Sequence, residues 1–330
     1  MKTISRQKTF PPPPSGKRSW PWTEESLVLP DAMPDGNPWP KISIVTPSYN
    51  QGAYIEETIR SVLLQGYPNL EYIIIDGGST DQTVDILKKY ERFLAYWTSE
   101  PDRGQTYAIN KGITIASGQI IGWINSDDVY GKDAFKTIAE NICQNGDISR
   151  PIVFGGIELI DDKGRLLKIF PGKSVERKKL IAFWRQDWHI PQPTVFFRSD
   201  ILKKNKLDDS LHYAMDWEFY LRLSAQYPFH RIPKILARFR SHGKSKTSGG
   251  WKPFTREQIS ISRRYWADAY WTYWLDYHLW PITKTRKALF GLLRTILRCI
   301  LGKAGYQKAK YLKSRLFPLF SGKCPGHLDR

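Results

Sequence analysis

The chain has 330 residues, of which 41% are hydrophobic and 25% charged. That is long enough to bury a sizeable core and too apolar for a disordered chain. The formal net charge is +18, but residues 281–330 alone carry twelve Lys/Arg against one Asp, so the basic excess gathers at the C-terminal end. Three widely spaced cysteines, Cys143, Cys299 and Cys324, exclude a disulfide framework or a zinc cluster, and no apolar run follows Met1 as in a secretory leader. A reducing, cytoplasmic setting is expected.

Residues 1–40, with Pro11–Pro14 and prolines 21, 30, 34, 38 and 40, read as an irregular extended arm. Residues 41–46 (KISIVT) read as a strand that ends in the turn-rich loop Pro47–Gly52. Helical spacing follows at Ile55, Ile59, Val62 and Leu63. A second apolar strand, 72–75, ends at Asp76-Gly77-Gly78-Ser79-Thr80-Asp81, whose polar residues can cap a helix over 82–91. A short strand near 94–98 precedes Glu100-Pro101-Asp102-Arg103-Gly104, and a helix at about 105–117 leads into Ile120–Ile124. This alternation with near-continuous apolar strands predicts a parallel sheet covered on both faces, with polar loops gathered at one edge.

The strand at 120–124 stops abruptly at Asn125-Ser126-Asp127-Asp128. Two adjacent carboxylates at the open end of a strand are costly unless a cation or strong donors compensate them. Hard oxygen ligands suit Mg²⁺ or Mn²⁺, which can clamp a diphosphate. The same Asp-Asp pair can also serve as a solvated helix cap.

Further on, 153–160 reads as a strand and Asp161–Gly164 as a turn into 165–170. Apolar positions at Trp217, Tyr220 and Leu221 fit a helix face with Asp216 at its start, where an acid also favours the helix dipole. Residues 235–248 end a strand in a basic loop containing His242, Lys244 and Lys246. The aromatic stretch 265–280 precedes 286–303, where Lys287, Arg294 and Arg298 lie opposite Leu289, Leu293, Ile296 and Ile300. Its length and internal arginines argue against a spanning helix; contact with an anionic membrane surface through 265–320, or packing on the core, both fit.

VTPSYNQGAYIEETIRSVLLQ, IIIDGGSTDQTVDIL and EPDRGQTYAINKGITIASGQIIGWINSDD together closely resemble glycosyltransferase family 2, densely over 41–135 and more loosely to about 247. The resemblance implies an α/β GT-A fold: a Rossmann-like nucleotide-binding half (41–130), an acceptor half (131–250) with a mixed central sheet, and a helical C-terminal extension (251–330). It implies an inverting glycosyltransferase that uses a nucleotide sugar, a UDP-sugar being expected, and Mn²⁺ or Mg²⁺.

By position, Thr46, Pro47 and Tyr49 match the first nucleotide loop, Asp76 the acid facing the base, and Asp102 and Arg103 a loop near the base or diphosphate. Asn110 matches a helix position with a structural or donor-contacting role. Asp76 also suits a turn before Gly-Gly, a job it can do at the same time. Asn125 stands where the family usually has its first acid, followed by Ser126; Asp127 matches the metal ligand, with Asp128 beside it. Gln192 falls near the reaction centre, His242 at a position that completes the metal site in part of the family, and Lys244 at a phosphate-reaching position. Asp216 matches the second member of the acidic pair that supplies the general base, with Met215 in place of the first; Glu218 is the fallback. The expected partners are a nucleotide-sugar donor and a glycan or lipid-linked acceptor, in polysaccharide biosynthesis of the cell envelope, at the inner face of the plasma membrane. Two other classes compete: a catalytically inactive nucleotide-binding relative, suggested by Asn125 and Met215, and a basic nucleic-acid-binding protein, which the absence of any such motif disfavours.

Overall fold

The computed structural model describes residues 10–144, 147–173, 176–181, 190–243 and 251–265. The first half alternates as the apolar spacing predicts: β1 (Ile42–Ser48), α1 (Ile55–Leu63), β2 (Leu70–Asp76), α2 (Thr83–Tyr90), β3 (Tyr96–Ser99), α3 (Gln105–Ile115) and β4 (Ile120–Trp123). Then come β5 (Val129–Tyr130), α4 (Ala134–Ile142), the small hairpin β6 (Cys143–Gln144) and β7 (Asp147–Ile148), β8 (Ile152–Ile160) and β9 (Leu166–Phe170). The last described elements are α5 (Arg177–Ile181), β10 (Phe196–Arg198), α6 (Ser199–Lys204), α7 (Met215–Leu223), β11 (Phe229–Arg240) and α8 (Trp251–Tyr265).

Parallel pairing gives the order β3-β2-β1-β4. Winding reverses between β1 and β4, the switch point at which open α/β sheets place ligands beyond the strands' carboxyl ends. Past β4 the sheet becomes mixed. β10 is antiparallel to β4 and β8, β11 is parallel to β8 and antiparallel to β5, and β9 flanks β8.

Strand alternation sorts the side chains onto two faces. Ile42, Ile44, Tyr72, Ile74 and Ile120 share a core with Ile55, Ile59 and Val62 of α1 and with Phe135, Ile138 and Ile142 of α4. The opposite face receives α3, which lies so close to β1 that any side chain at Gly112 would run into Val45.

The proline-rich arm is irregular, as its composition predicts, but it is packed: Phe10, Trp20, Trp22, Met33 and Trp39 are all buried. Its anchor is Arg60 on α1, fully enclosed. The guanidinium donates to the carbonyls of Pro11, Pro21 and Trp22 and to the Tyr90 hydroxyl at 2.8–3.1 Å, between the rings of Phe10 and Trp22. A fixed planar fork suits this convergence of carbonyls, and the ring faces offset part of the desolvation.

The compact unit runs from Met1 to Asp268. It therefore takes in both the arm expected over 1–40 and α8, the start of the region expected from 251. The stretch 286–303, with the rest of the proposed membrane-contacting region beyond Tyr265, lies outside the described residues, as do Cys299 and Cys324.

Replacing Arg60 with Ala leaves three buried carbonyls unpaired, at a cost of about 2–3 kcal/mol. Chemical denaturation should show that loss, and limited proteolysis should cut within 10–40 sooner than in wild type. Unchanged stability and unchanged cleavage would show that the arm does not depend on this side chain.

Candidate active site

The carboxyl ends of β1 and β2 carry the first two loops, and hydrogen bonds join them. Asn50 N–H donates to Ser79 Oγ at 2.7 Å, and Asn50 Oδ1 accepts from Thr80 N–H at 2.9 Å. Asp81 Oδ2 accepts from Gly52 N–H at 2.9 Å. Between these loops Tyr49 stands 61% exposed, an aromatic face open to a flat ligand.

Other residues matched to the nucleotide loops are placed differently. Thr46 is buried and its Oγ1 lies 3.1 Å from the Tyr72 hydroxyl; Pro47 is also buried. The Asp76 carboxylate is fully enclosed. It accepts from Ser79 N–H, Ser79 Oγ and Ser99 Oγ at 2.6–2.8 Å, so it organises the loops rather than facing a ligand. The carboxylate that reaches this edge is Asp102, half-buried over Gly77: a Cβ at Gly77 would meet its carboxyl atoms at 3.1 Å. Asp102 Oδ1 accepts from Gly104 N–H at 2.7 Å. Arg103 is exposed and lies over the Tyr107 ring. Asn110 exchanges two 3.0 Å hydrogen bonds with the backbone of Leu207, which makes it a staple between α3 and the loop that leads to α7.

At the end of β4, Asn125 Oδ1 accepts from Gln105 Nε2 at 2.6 Å, and Ser126 is buried in the turn. The two acids part company here. Asp127 Oδ2 lies 2.9 Å from His242 Nε2. Asp128 points inward, 1% exposed, and its Oδ1 accepts the Arg240 N–H at 2.9 Å. Burial, with the neighbouring Asp127 charge, pushes the Asp128 carboxyl well above the usual carboxylate range, against the opposing pull of Arg240. Its Oδ2 is buried without a hydrogen-bond partner.

Arg240 accounts for the rest of this arrangement. Its side chain is 2% exposed, donates to the carbonyls of Asp127, Asp161 and Asp162, and pairs with Glu57 Oε2 at 3.0 Å. It lies over the Tyr54 ring, on which His242 also packs. Two residues past Arg240, His242 is delivered to Asp127. Beside the pair is a cleft of about 560 Å³ lined by Asn50, Gln51, Tyr54, Asp162 and His242, among others. Lys244 lies outside the described residues.

Among the described residues no three His, Cys, Asp or Glu side chains gather as a closed metal cage. Asp127 and His242 still fit a cation: one carboxylate oxygen and one imidazole nitrogen at 2.9 Å suit neighbouring positions around a single ion. Cations of the Mg²⁺ type are usually bound by one or two carboxylates together with substrate phosphates and water. The nitrogen ligand favours Mn²⁺ over Mg²⁺. Asp128, facing Arg240, is placed behind this pair.

Asp216 begins α7, half-buried, and its Oδ1 accepts from Trp217 N–H at 2.8 Å. The helix is fixed by Trp217 Nε1 to the Leu180 carbonyl, 3.0 Å, and by Phe219 against Trp123 and Phe197. Met215 Sδ accepts from the Thr106 hydroxyl at 2.8 Å, next to the Gln105 that holds Asn125. Gln192 Nε2 donates to the Trp123 carbonyl at 2.9 Å, at the same strand end. The residue before Asp216 is thus bonded to the α3 turn that also holds Asn125 at the β4 terminus. Glu218 is 3% exposed and committed to Arg222 and the Tyr265 hydroxyl.

Asp128→Asn keeps a neutral acceptor for Arg240 N–H and should melt close to wild type. Asp128→Ala leaves that buried donor unpaired and should lose about 1–3 kcal/mol. Thermal or chemical denaturation of the two variants distinguishes this buried role from direct ligation, which would make Asn as damaging as Ala to metal binding.

Against known proteins, the model described as Glycosyl transferase family 2 matches residues 43–206. An uncharacterized glycosyltransferase of Mycobacterium tuberculosis is 32% identical over 214 residues, 62% of this chain and 76% of that one. The putative teichuronic acid biosynthesis glycosyltransferase TuaG of Bacillus subtilis is 37% identical over 134 residues, 40% of this chain and 52% of that one. The crystal structure of S. aureus TarS 1-349 in complex with UDP-GlcNAc superposes with a TM-score of 0.54 at 22% identity, over 67% of this chain and 65% of that one. The chain therefore spans less than two thirds of TuaG and of the TarS chain.

Proposed function

The chain belongs to glycosyltransferase family 2 and has its GT-A fold, and from that premise we propose that it transfers a sugar from a UDP-sugar to a hydroxyl of a glycan or lipid-linked acceptor, with inversion at the anomeric carbon. The observation that carries this reading is the carboxylate–imidazole pair of Asp127 and His242 at the β4 terminus. The start of α7, where Asp216 lies, is held to the same α3 turn as Asn125: Met215 bonds to Thr106, and Asn125 to the adjacent Gln105.

In the proposed reaction the base and ribose lie against Tyr49 and the Asp102–Gly77 edge, and the diphosphate lies beside Asp127 and His242. Those two residues would hold Mn²⁺ or Mg²⁺, whose charge offsets the negative charge building on the departing diphosphate. The acceptor hydroxyl attacks the anomeric carbon from the face opposite the diphosphate. Asp216 takes its proton as the new C–O bond forms and the bond to phosphate breaks, which inverts the centre. Gln192 and Asn125 line the strand end where the sugar would sit. Asn125 and Met215, which replace acids usual in the family, are each bonded to α3, so both substitutions are built into the local packing.

The UDP assignment draws support from the UDP-GlcNAc named in the TarS complex. An envelope polymer as acceptor draws support from the teichuronic acid assignment in the TuaG name. No described helix is long and apolar enough to cross a membrane. The proposal extends to contact with the inner membrane face through 265–320, supported by the basic and aromatic composition of that stretch.

Asp216→Asn should lower kcat by about 10²–10⁴-fold while leaving the donor Kd near wild type, read by nucleoside diphosphate release and by calorimetry with a UDP-sugar panel. Wild-type turnover in this variant would remove Asp216 from the chemistry.

A further inference from the structure

Helix α7 starts without a cap of its own. Its N-cap residue is Ala214, which offers no side-chain acceptor; inside the first turn Asp216 Oδ1 takes the Trp217 N–H, and the N–H groups of the turn just before the helix find their partner elsewhere. The partner comes from α8, more than forty residues later in the chain. Glu257 Oε1 accepts the His212 N–H at 2.9 Å, and Oε2 accepts the N–H groups of Tyr213 and Ala214 at 2.8 and 3.0 Å. One carboxylate thus collects three consecutive backbone donors. Charge-assisted bonds of this kind are about twice as strong as neutral ones, and a negative charge suits a helix N-terminus.

What this carboxylate holds is the turn immediately ahead of Met215 and Asp216. Asp216 lies two residues beyond the last donor. α8 is itself secured to the surrounding elements: Tyr265 Oη donates to Glu218 Oε1 at 2.6 Å, Arg264 pairs with Asp208 at 3.1 Å, and Ser262 Oγ donates to the Ile181 carbonyl at 3.3 Å. The clamp therefore reaches α7 from a helix anchored at three further points.

We propose that Glu257 is a positioning residue for the proton acceptor: by fixing residues 212–214 from α8, it sets where the Asp216 carboxylate lies relative to the acceptor hydroxyl. This rests on the reading of Asp216 as the general base. Displacement of a reacting group by about 1 Å can cost on the order of 10²-fold in rate. The cost should fall on turnover and spare donor binding, since the hydrogen bonds of Glu257 go to the backbone of 212–214 and, among the described residues, none goes to Tyr49, Asp102 or His242.

The test uses the full chain with Glu257→Gln, Glu257→Ala and Asp216→Asn. Three quantities are read: kcat for nucleoside diphosphate release, KM for the UDP-sugar, and hydrogen exchange at the amides of 212–214. Glu257→Ala should accelerate exchange at those amides and lower kcat by about 10–100-fold, with the donor KM within about twofold of wild type. Glu257→Gln keeps an acceptor oxygen without the charge and should fall between. Accelerated exchange with wild-type kcat would overturn the proposal, because the turn would then be held without bearing on turnover. Unchanged exchange in Glu257→Ala would overturn it at the clamp itself. Wild-type turnover in Asp216→Asn would instead remove the general-base reading, whatever the Glu257 variants do.

Discussion

The site depends on one enclosed guanidinium. Arg240 ends β11, the long strand of the mixed half of the sheet, and reaches across to the loop after β4 and to α1. A cation with 2% exposure is tolerable only when its donors are matched, and here three carbonyls and a carboxylate receive them. The same residue's backbone N–H donates to Asp128 Oδ1, so one position holds the buried acid and aims the chain that follows. Two residues on, His242 meets Asp127. The parallel and mixed parts of the sheet are thereby joined beside this pair.

The same logic recurs at the periphery. Arg60 ties the arm to α1, and Glu257 ties α8 to α7; in each case one charged side chain collects several backbone groups from a distant segment. Segments outside the family-like stretch are thus part of the same compact unit. The arm backs the α1 face of the sheet, and α8 braces the helix whose first turn holds Asp216.

Much of this was legible in the sequence because it is local. Apolar runs at 42–46, 72–75 and 120–124 mark strands, and polar, Gly-rich ends mark the functional edge. Asp127 and Asp216 stand out as acids at the ends of elements. What the pattern does not resolve is facing. Thr46 and Asp76 lie at the expected strand ends, yet their side chains turn into the protein, leaving Tyr49 and Asp102 at the surface. Nor does it distinguish two adjacent acids, one paired with His242 and one buried against Arg240. Arg60, Arg240 and Glu257 are single ordinary charged residues whose partners lie 30 to 183 positions away, and no spacing rule announces such a contact. The position of Asn110 suits a structural or a donor-contacting role; its amide is matched to the Leu207 backbone, a pairing visible only in three dimensions.

In the proposed reaction Asp127 and His242 would hold the donor diphosphate through a divalent cation. Calorimetric titration of UDP-GlcNAc into the full chain, with Mn²⁺ and with EDTA, for wild type and His242→Ala, tests it most directly. The account predicts binding in Mn²⁺ that weakens by more than about tenfold, or about 1.4 kcal/mol, on removing either the metal or the imidazole. Binding equally tight in all four conditions would contradict it.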